Sequence, residues 1–191
     1  MRDSKSSIGY LIVFLTIFFI SCNPLKSEVA DCAYSNSPDT HEFTPQGECG
    51  KFRDEDTIVL YPQHLKNLYF GDANFTTLYA RDGKDGKKCV FYVSKSGKAI
   101  RTFFFDNGAD YFEEGLARTI SKGKFRFINE KLEVVIEPRF DFAFPFENGK
   151  ARVCNGCTKK RDGEHYMMVG GKWGVIDRSG KLISPMKKRG D

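Results

Sequence analysis

The stretch from Gly170 to Ile183 reads G-G-K-W-G-V-I-D-R-S-G-K-L-I. Within it, Trp173–Asp177 is a short apolar run, and Arg178–Gly180 follows as a turn in which the glycine can take a positive φ. Two earlier runs align with it on their turns, Phe125–Asn129 and Val90–Ser94. The chain is therefore predicted to repeat one strand-and-turn unit about three times.

A second element recurs in the same region. Phe112–Arg118 matches Phe146–Arg152, and between the last two units the repeat is lengthened by an insertion, Cys154–Tyr166. A similar period occurs in helical tetratricopeptide arrays. Here the local pattern favours strands, because four aromatic rings spaced two residues apart lie on one face of a strand: Phe140, Phe142, Phe144 and Phe146. We therefore expect an all-β fold, with helix confined to short pieces.

These residues carry a family resemblance. Gly171–Lys181 resembles the WG (KWG) repeat, and Ile136–Ala143 and Phe146–Val153 resemble its second half, so that the likeness covers roughly residues 65–185. The resemblance implies about three β-hairpin repeats stacked into one curved module, of a kind common in bacterial envelope proteins. It implies no catalytic residue and no cofactor.

Stacking explains why such a repeat needs aromatic residues, because one strand pair cannot bury its rings alone. A glycine beside the tryptophan lets a neighbouring ring or backbone lie close. The predicted repeat core is Phe125, Phe140, Phe142, Phe146, Trp173 and Gly174. An alternative for the same rings is stacking against a carbohydrate ligand.

The first residues of the chain predict its subcellular localisation. Arg2 and Lys5 precede the apolar run Ile8–Ile20, which is too short to span a bilayer well but has the size of a secretory h-region. The run ends in Phe19–Cys22, which resembles a bacterial lipobox and implies acylation at Cys22. Acyl chains of this kind anchor a protein to a membrane. We expect an exported ectodomain in the bacterial cell envelope, with the outer membrane as the favoured location.

The domain boundaries follow from these assignments. Residues 1–21 are predicted to be a lipoprotein signal peptide and residues 22–30 a tether. Residues 31–56 show no helical or strand period and are predicted to be a loop-rich N-terminal segment. Residues 57–191 are predicted to be the β domain built from WG repeats.

Export also places the remaining cysteines in an oxidising compartment, which favours disulfides. The N-terminal segment needs a staple, and Asn155-Gly156 is a strong hairpin signal that would bring its flanking cysteines together across a tight turn. The predicted bridges are Cys32–Cys49 and Cys154–Cys157. Cys89 is left outside both as a small buried hydrophobe. A competing pairing would join Cys89 to an N-terminal cysteine.

Cys154 and Cys157 also carry the competing functional hypotheses. One is a zinc site that adds His165 and a fourth group such as Cys89, and another is thiol catalysis. The chain contains no P-loop, no G-x-S-x-G and no H-E-x-x-H motif. We expect no enzyme activity and no metal at the favoured disulfide.

Charge limits the class of partner. The net charge of +5 comes from 30 basic and 25 acidic residues, which is too balanced to indicate nucleic-acid binding. The expected partners are the membrane, through the N-terminal lipid, and a protein or envelope polymer. The favoured function is a non-catalytic binding or scaffolding module. The alternatives are an envelope thiol or zinc protein and an inhibitor or immunity-type lipoprotein.

Overall fold

A computed structural model describes residues 29–37, 43–82, 86, 88–163 and 165–188. These residues form three main antiparallel sheets that follow one another along the chain, a small hairpin and one short helix. The all-β class predicted from the sequence is confirmed. None of the helices in the described ranges is long and apolar enough to span a bilayer. Cys22 and the predicted signal peptide lie outside the described residues.

The first sheet, here called the curled sheet, has the strand order β3-β2-β1-β4-β5-β6. Its elements are β1 (Val29–Tyr34), β2 (Thr44–Asp54), β3 (Thr57–Leu60), β4 (Phe75–Asp82), β5 (Lys88–Ser94) and β6 (Ala99–Arg101). Helix α1 (Pro62–Asn67) lies between β3 and β4 in the chain. It begins with a proline at its first turn, where the missing N–H costs no hydrogen bond.

The other two main sheets continue the chain. The small hairpin pairs β7 (Phe104–Phe105) with β8 (Gly108–Ala109). The middle sheet, ordered β11-β10-β9, contains β9 (Leu116–Ser121), β10 (Lys124–Asn129) and β11 (Val134–Phe140). The terminal sheet, ordered β12-β13-β14-β15, contains β12 (Phe142–Ala143), β13 (Lys150–Asp162), β14 (His165–Asp177) and β15 (Leu182–Lys188).

The predicted repeated run forms the second strand of each three-strand unit, namely β5, β10 and β14. In each unit the last residue of this strand uses a side-chain oxygen to accept the N–H four residues on, which closes the turn. The three bonds are Lys98 to Ser94 at 3.1 Å, Glu133 to Asn129 at 3.0 Å and Lys181 to Asp177 at 3.0 Å. This shared bond explains why the repeat places serine, asparagine or aspartate at that position.

Burial shows that the units stack. All five central residues of β5 are buried and so are five of the six residues of β9, which means that both faces of these strands are covered. Strand β13 alternates buried and exposed residues from Lys150 to Val153, so only one of its faces packs against the core. The curled and middle sheets are thus covered on both sides, whereas the terminal sheet is covered on one.

The curled sheet closes its own outer side. Its edge strands approach each other, and the Arg101 N–H donates to the Asp56 carbonyl across the gap at 2.9 Å. The segment containing α1 covers the rest, with Leu65 and Leu68 packed against the core of the sheet. The His64 ring is hydrogen-bonded to the Tyr34 hydroxyl at 2.9 Å. This end of the stack is therefore sealed by the chain itself.

The prediction that residues 31–56 form a loop-rich segment is wrong, because most of the segment is β-strand. Strand β1 starts at Val29, inside the predicted tether, and alternates buried and less buried residues with Ala30, Cys32 and Tyr34 inward. Strand β2 pairs with it through register shifts. Each shift inserts an extra residue on one strand and so scrambles the alternation that a sequence pattern can detect.

The expected single face of four phenylalanines is also corrected. Phe140 and Phe146 are buried in the core between the middle and terminal sheets. Phe142 is half-buried and Phe144 is 39% exposed. Strand β11 ends at Phe140 and the chain bends at Asp141, so the four residues do not belong to one continuous strand. The alternation therefore fails at the bend.

Candidate functional site

The residues predicted as repeat core lie at the junction of the middle and terminal sheets or on the terminal sheet. Phe125, Phe140 and Phe146 are buried there, and Phe142 packs beside them. Gly174 is buried under β15, where an added Cβ would lie 2.6 Å from the Met186 sulfur and 3.0 Å from the Ser184 carbonyl oxygen. A side chain at position 174 would therefore push β15 away from β14.

The outward side of the terminal sheet is the candidate site, and we call it the end face. Trp173 lies at its centre, 8% exposed, with its indole N–H donating to the Gly170 carbonyl at 2.8 Å. The ring packs with the rings and sulfurs around it. The residues of the end face are Phe142, Phe144, Lys150, Arg152, Cys154, Cys157, Met168, Trp173 and Val175.

The end face is the repeat equivalent of a buried surface. In the middle sheet the four residues turned toward the next unit are at most 6% exposed: Leu116, Arg118, Phe125 and Phe127. Their counterparts in the terminal sheet are Lys150, Arg152, Trp173 and Val175. Of these, Lys150 and Arg152 are exposed and Val175 is half-buried. One residue set therefore forms an interior in the middle unit and a surface in the terminal unit.

The buried member, Arg118, shows what this position binds. Its Nε and Nη2 donate to the two oxygens of Asp110 at 3.0 and 2.5 Å, and its Nη1 donates to the Ala143 carbonyl at 3.0 Å. The guanidinium carbon also lies 5.0 Å from the ring centres of Phe103 and Phe105. Such a bidentate, stacked arrangement satisfies a buried arginine. Ala143 belongs to the terminal sheet, so Arg118 ties two repeats together.

The exposed member, Arg152, keeps the stacking and lacks the anion. Its guanidinium carbon lies 4.8 Å from the Phe144 ring centre and 4.5 Å from that of Trp173. Phe144 is the counterpart of Phe103, because its N–H donates to the Arg152 carbonyl at 2.9 Å as the Phe103 N–H donates to the Arg118 carbonyl at 3.2 Å. Asp110 lies in the segment of the small hairpin, which has no counterpart in the terminal unit. Among the described residues no acidic group forms an ion pair with Arg152. The end face therefore presents a cation held against two rings.

A groove of about 660 Å³ lies beside this cation. Its walls combine apolar and charged groups. They include Glu113, which precedes β9 of the middle sheet, and residues of the terminal sheet. The lining residues are Glu113, Phe144, Pro145, Phe146, Glu147, Lys150, Arg152 and Val175. The charges of the two acidic and two basic side chains balance, so the groove as a whole does not attract a polyanion.

The Cys154–Cys157 disulfide borders the end face, with a Cα–Cα distance of 6.1 Å. The predicted hairpin turn at Asn155-Gly156 is wrong, because both cysteines lie within β13, on either side of Gly156. There Gly156 stands opposite Gly171 of β14 and the two are not paired, while the register of the strands is the same before and after them; we call this point the glycine break. Gly156 has φ +75°, so the Asn-Gly signal located a residue with positive φ but not a hairpin turn.

Neighbouring residues fix the glycine break. Gly171 on β14 has φ +70°, and a Cβ there would lie 2.5 Å from the Cys157 nitrogen. The Asp141 carboxylate accepts the Gly156 N–H at 2.7 Å and is paired with Lys124 of the middle sheet. The Gly156 N–H, followed by Lys124, holds the pKa of Asp141 below its usual value. Beyond the glycine break, β13 and β14 continue in the same register as a hairpin arm that contains most of the predicted insertion.

The other cysteines lie at the opposite end of the stack. Cys32 and Cys49 form the second bridge, with a Cα–Cα distance of 5.7 Å, and Cys89 lies in the same buried core of the curled sheet. The alternative zinc set is not assembled, because Cys154 belongs to the cluster around Trp173. The described part of the chain contains no cluster of three metal-ligating side chains.

A second cleft, of about 720 Å³, lies where the small hairpin meets the curled sheet. Tyr79 and Phe104 supply aromatic surface, and Arg81, Lys88 and Asp31 supply charge. The Tyr79 hydroxyl donates to the Asn107 carbonyl at 3.4 Å, and burial followed by the nearby Tyr111 raises its pKa. This cleft could admit a small polar ligand, but no repeat equivalence indicates what its side chains bind.

Sequence reasoning missed the two features that define the end face. Asp110 and Arg118 carry no motif, and the aspartate is not repeated in the next unit, so nothing marked the pair. Arg152 was visible within the recurring Phe146–Arg152 element. Its exposure depends on which repeat is the last to be covered, and a repeat pattern alone does not contain that information.

Comparison with known proteins supports the repeat assignment. No curated protein and no solved structure matches the chain. The first three-strand unit, β4 to β6, lies outside the matched segments and follows the pattern through its turn bond alone. The family model of the WG containing repeat matches residues 125–156, from β10 into β13, and residues 173–187, from β14 into β15, so this part of the chain is similar to that repeat.

Proposed function

We propose that this chain is a non-catalytic binding module of the bacterial envelope, which holds a partner on the end face of its last repeat. The observation that carries the proposal is the contrast between two equivalent surfaces. The surface around Arg118 is buried by the following sheet, whereas the surface around Arg152 keeps its rings and its cation with no cover from the part of the chain that the structure describes. Exposed aromatic and arginine side chains are typical anchors of protein interfaces.

The chemistry of the described residues supports a binding role over a catalytic one. Three of the described aspartates have structural partners. Asp110 accepts from the Arg118 guanidinium, Asp141 accepts from the Gly156 N–H, and Asp177 accepts from the Lys181 N–H to close a turn. Both sulfurs of the end-face disulfide belong to buried residues, with Cys154 at 0% and Cys157 at 8% exposure. A catalytic thiol needs access and a stabilised thiolate.

Site-specific photo-crosslinking tests the binding role. A benzophenone amino acid replaces Phe144, which is 39% exposed on the end face, in cells that normally make the protein. The control replaces Tyr69, an aromatic residue that is 40% exposed on the curled sheet's side. We expect discrete adducts from position 144 and none of the same mass from position 69. Identical patterns, or no adduct at 144, would contradict the proposal.

The envelope location rests on the lipobox resemblance and has its own test. The h-region Ile8–Ile20 followed by Ser21-Cys22 motivates it. Labelled palmitate should be incorporated into the wild type and not into Cys22→Ala. Incorporation that survives this substitution would remove lipidation from the proposal while leaving the end face unaffected.

A further inference from the structure

We infer that the end face binds an acidic side chain of a partner protein, with the carboxylate received by Arg152 and the surrounding segment laid along the groove. This inference rests on the proposed binding function and names the chemistry of its partner. It starts from a difference between two repeats: the segment 104–111, which carries Asp110, separates Phe103 from Phe112, whereas Pro145 alone separates Phe144 from Phe146.

The middle repeat shows the complete arrangement. There the equivalent guanidinium receives a carboxylate from Asp110 and a main-chain carbonyl from Ala143 of the following sheet. At Arg152 no described residue supplies the carboxylate, because the segment that carries Asp110 has no counterpart in the terminal unit, and the described chain supplies no following sheet. The two acceptors absent from Arg152 are those that an acidic residue in an extended protein segment carries together, one on its side chain and one on its backbone.

A second repeat contact is left open at the same side. The Glu114 carboxylate accepts the N–H of Gly149 in the next repeat at 3.0 and 3.1 Å, which joins the two turns. Asn148 occupies the equivalent position in the last repeat. Its side chain has no hydrogen-bond partner among the described residues. These two inter-repeat contacts of the middle unit thus have unmatched counterparts on the described terminal unit.

The groove selects the class of occupant. Glu113 and Glu147 line it together with Lys150 and Arg152, so a dense polyanion would meet two carboxylates of its own sign. A single acidic side chain avoids this repulsion, because it can be directed at Arg152 while the neighbouring residues remain neutral. This favours a protein segment over an acidic polysaccharide or an anionic lipid surface.

A second copy of this chain fits the end face poorly. Two end faces placed together would bring Arg152 and Lys150 against their own copies. A head-to-tail arrangement would need an open surface at the other end, where the α1 segment and the closed edges cover the curled sheet. The occupant is therefore a different protein chain.

The test selects random displayed peptides against the full chain in neutral detergent and then measures the winners by fluorescence. Trp173 is the only tryptophan, so its emission reports on the end face directly. We expect winners with one aspartate or glutamate among uncharged residues. We also expect binding about tenfold or more weaker for Arg152→Gln, the usual scale of a charged hydrogen bond. Arg53→Gln, which removes the same charge from exposed β2, should bind like the wild type.

Phe144→Asp provides a second variant with a distinct expectation. It replaces the ring that lies 4.8 Å from the Arg152 guanidinium carbon with a carboxylate, so it should occupy Arg152 internally. Peptide binding should fall about tenfold, while the melting temperature should stay above that of Phe144→Ala, which loses the same ring without gaining an ion pair. A lower affinity with retained stability separates competition from misfolding.

Several outcomes would overturn the inference. These are winners without an acidic residue, winners that bind Arg152→Gln as well as wild type, and Arg152-dependent binding of polygalacturonate or phosphatidylglycerol vesicles in place of peptides. Adducts from position 144 in cells, found together with any of these, would leave the binding function standing and reject the acidic partner. Absence of adducts together with failed selection would reject both.

Discussion

The two ends of the stack solve the same problem in opposite ways. At the N-terminal end the curled sheet brings its edges together, packs Leu65 and Leu68 over its core and adds the Cys32–Cys49 bridge. At the C-terminal end none of the described residues forms such a cover over the terminal sheet, which has Lys150 and Val175 at the positions of Leu116 and Phe127. A stack of repeats must end in a surface that water tolerates.

The difference teaches which residues of the last repeat are explained by capping. Lysine in place of leucine makes the surface more polar, as a cap requires. Keeping Trp173 and Phe144 beside Arg152 does the reverse, because it retains aromatic surface where no further sheet follows in the described chain. The end face is therefore a partial cap, and the retained residues are those with a role to explain.

The largest contrast is expected between Asp110→Ala and Phe144→Ala, which remove the anion that binds Arg118 and a ring that contacts Arg152. Asp110→Ala leaves the buried Arg118 without its anion and should cost about 3–5 kcal/mol. Phe144→Ala removes a ring that is 39% exposed and should cost roughly 1 kcal/mol. Denaturant melts of both variants measure the difference. Equal costs would show that the end face is packed as firmly as the interior.

Trp173→Ala tests how far the terminal sheet depends on its own ring. The expected loss is in the range of roughly 3–5 kcal/mol for an emptied aromatic site, near its low end because one side of the sheet lacks a cover. For a chain of this size each kcal/mol lowers the melting temperature by about 2–4 °C. An unchanged melting temperature would mean that the ring contributes to ligand stacking alone.

The disulfide at the covered N-terminal end should stabilise the protein more than the disulfide at the C-terminal end. Cys32–Cys49 closes a sequence separation of 17 and Cys154–Cys157 one of 3. Chain-entropy arithmetic gives a loss of about 3 kcal/mol for opening the first and about 1.5 kcal/mol for the second. Paired Cys→Ser variants measured by thermal melting check the order. A larger loss of stability on opening Cys154–Cys157 would show that this disulfide stabilises β13 around Gly156 by more than its loop size indicates.

The smallest expected change in stability concerns Asp141, whose carboxylate accepts the Gly156 N–H. Its folded pKa is lowered, so its stabilisation is present above the usual value of 3.8 and is lost as pH falls through the folded pKa. The side chain is 30% exposed, so the contribution is less than about 1 kcal/mol. Asp141→Asn should lower the melting temperature at neutral pH and not at acid pH. Asp72→Asn, on an exposed loop, is the control.

The sequence predicted the stack well and its ends poorly. Local patterns predicted three features correctly. The Trp173 run lies in β14, the residues after it form a turn, and the recurring Ala-Arg pairs lie in β9 and β13. The covering of those strands is a tertiary property, because Arg118 and Arg152 end the same recurring element and have opposite exposure. Strands β1 and β2 were missed because register shifts disturb the alternation, and the glycine break at Gly156 was mistaken for a hairpin turn because both contain a positive φ.

The place of β1 in the curled sheet has a mechanical consequence. The first described strand of the chain is also a central one, paired antiparallel with β2 on one side and β4 on the other. Tension applied from the N-terminal side of Val29 would run along β1 and load both of its hydrogen-bond ladders in shear, rather than opening them one bond at a time. The Cys32–Cys49 bridge would divert that load into β2 after four residues. Single-molecule stretching from the N-terminus should therefore show one high rupture force, which drops when Cys32 is replaced by serine.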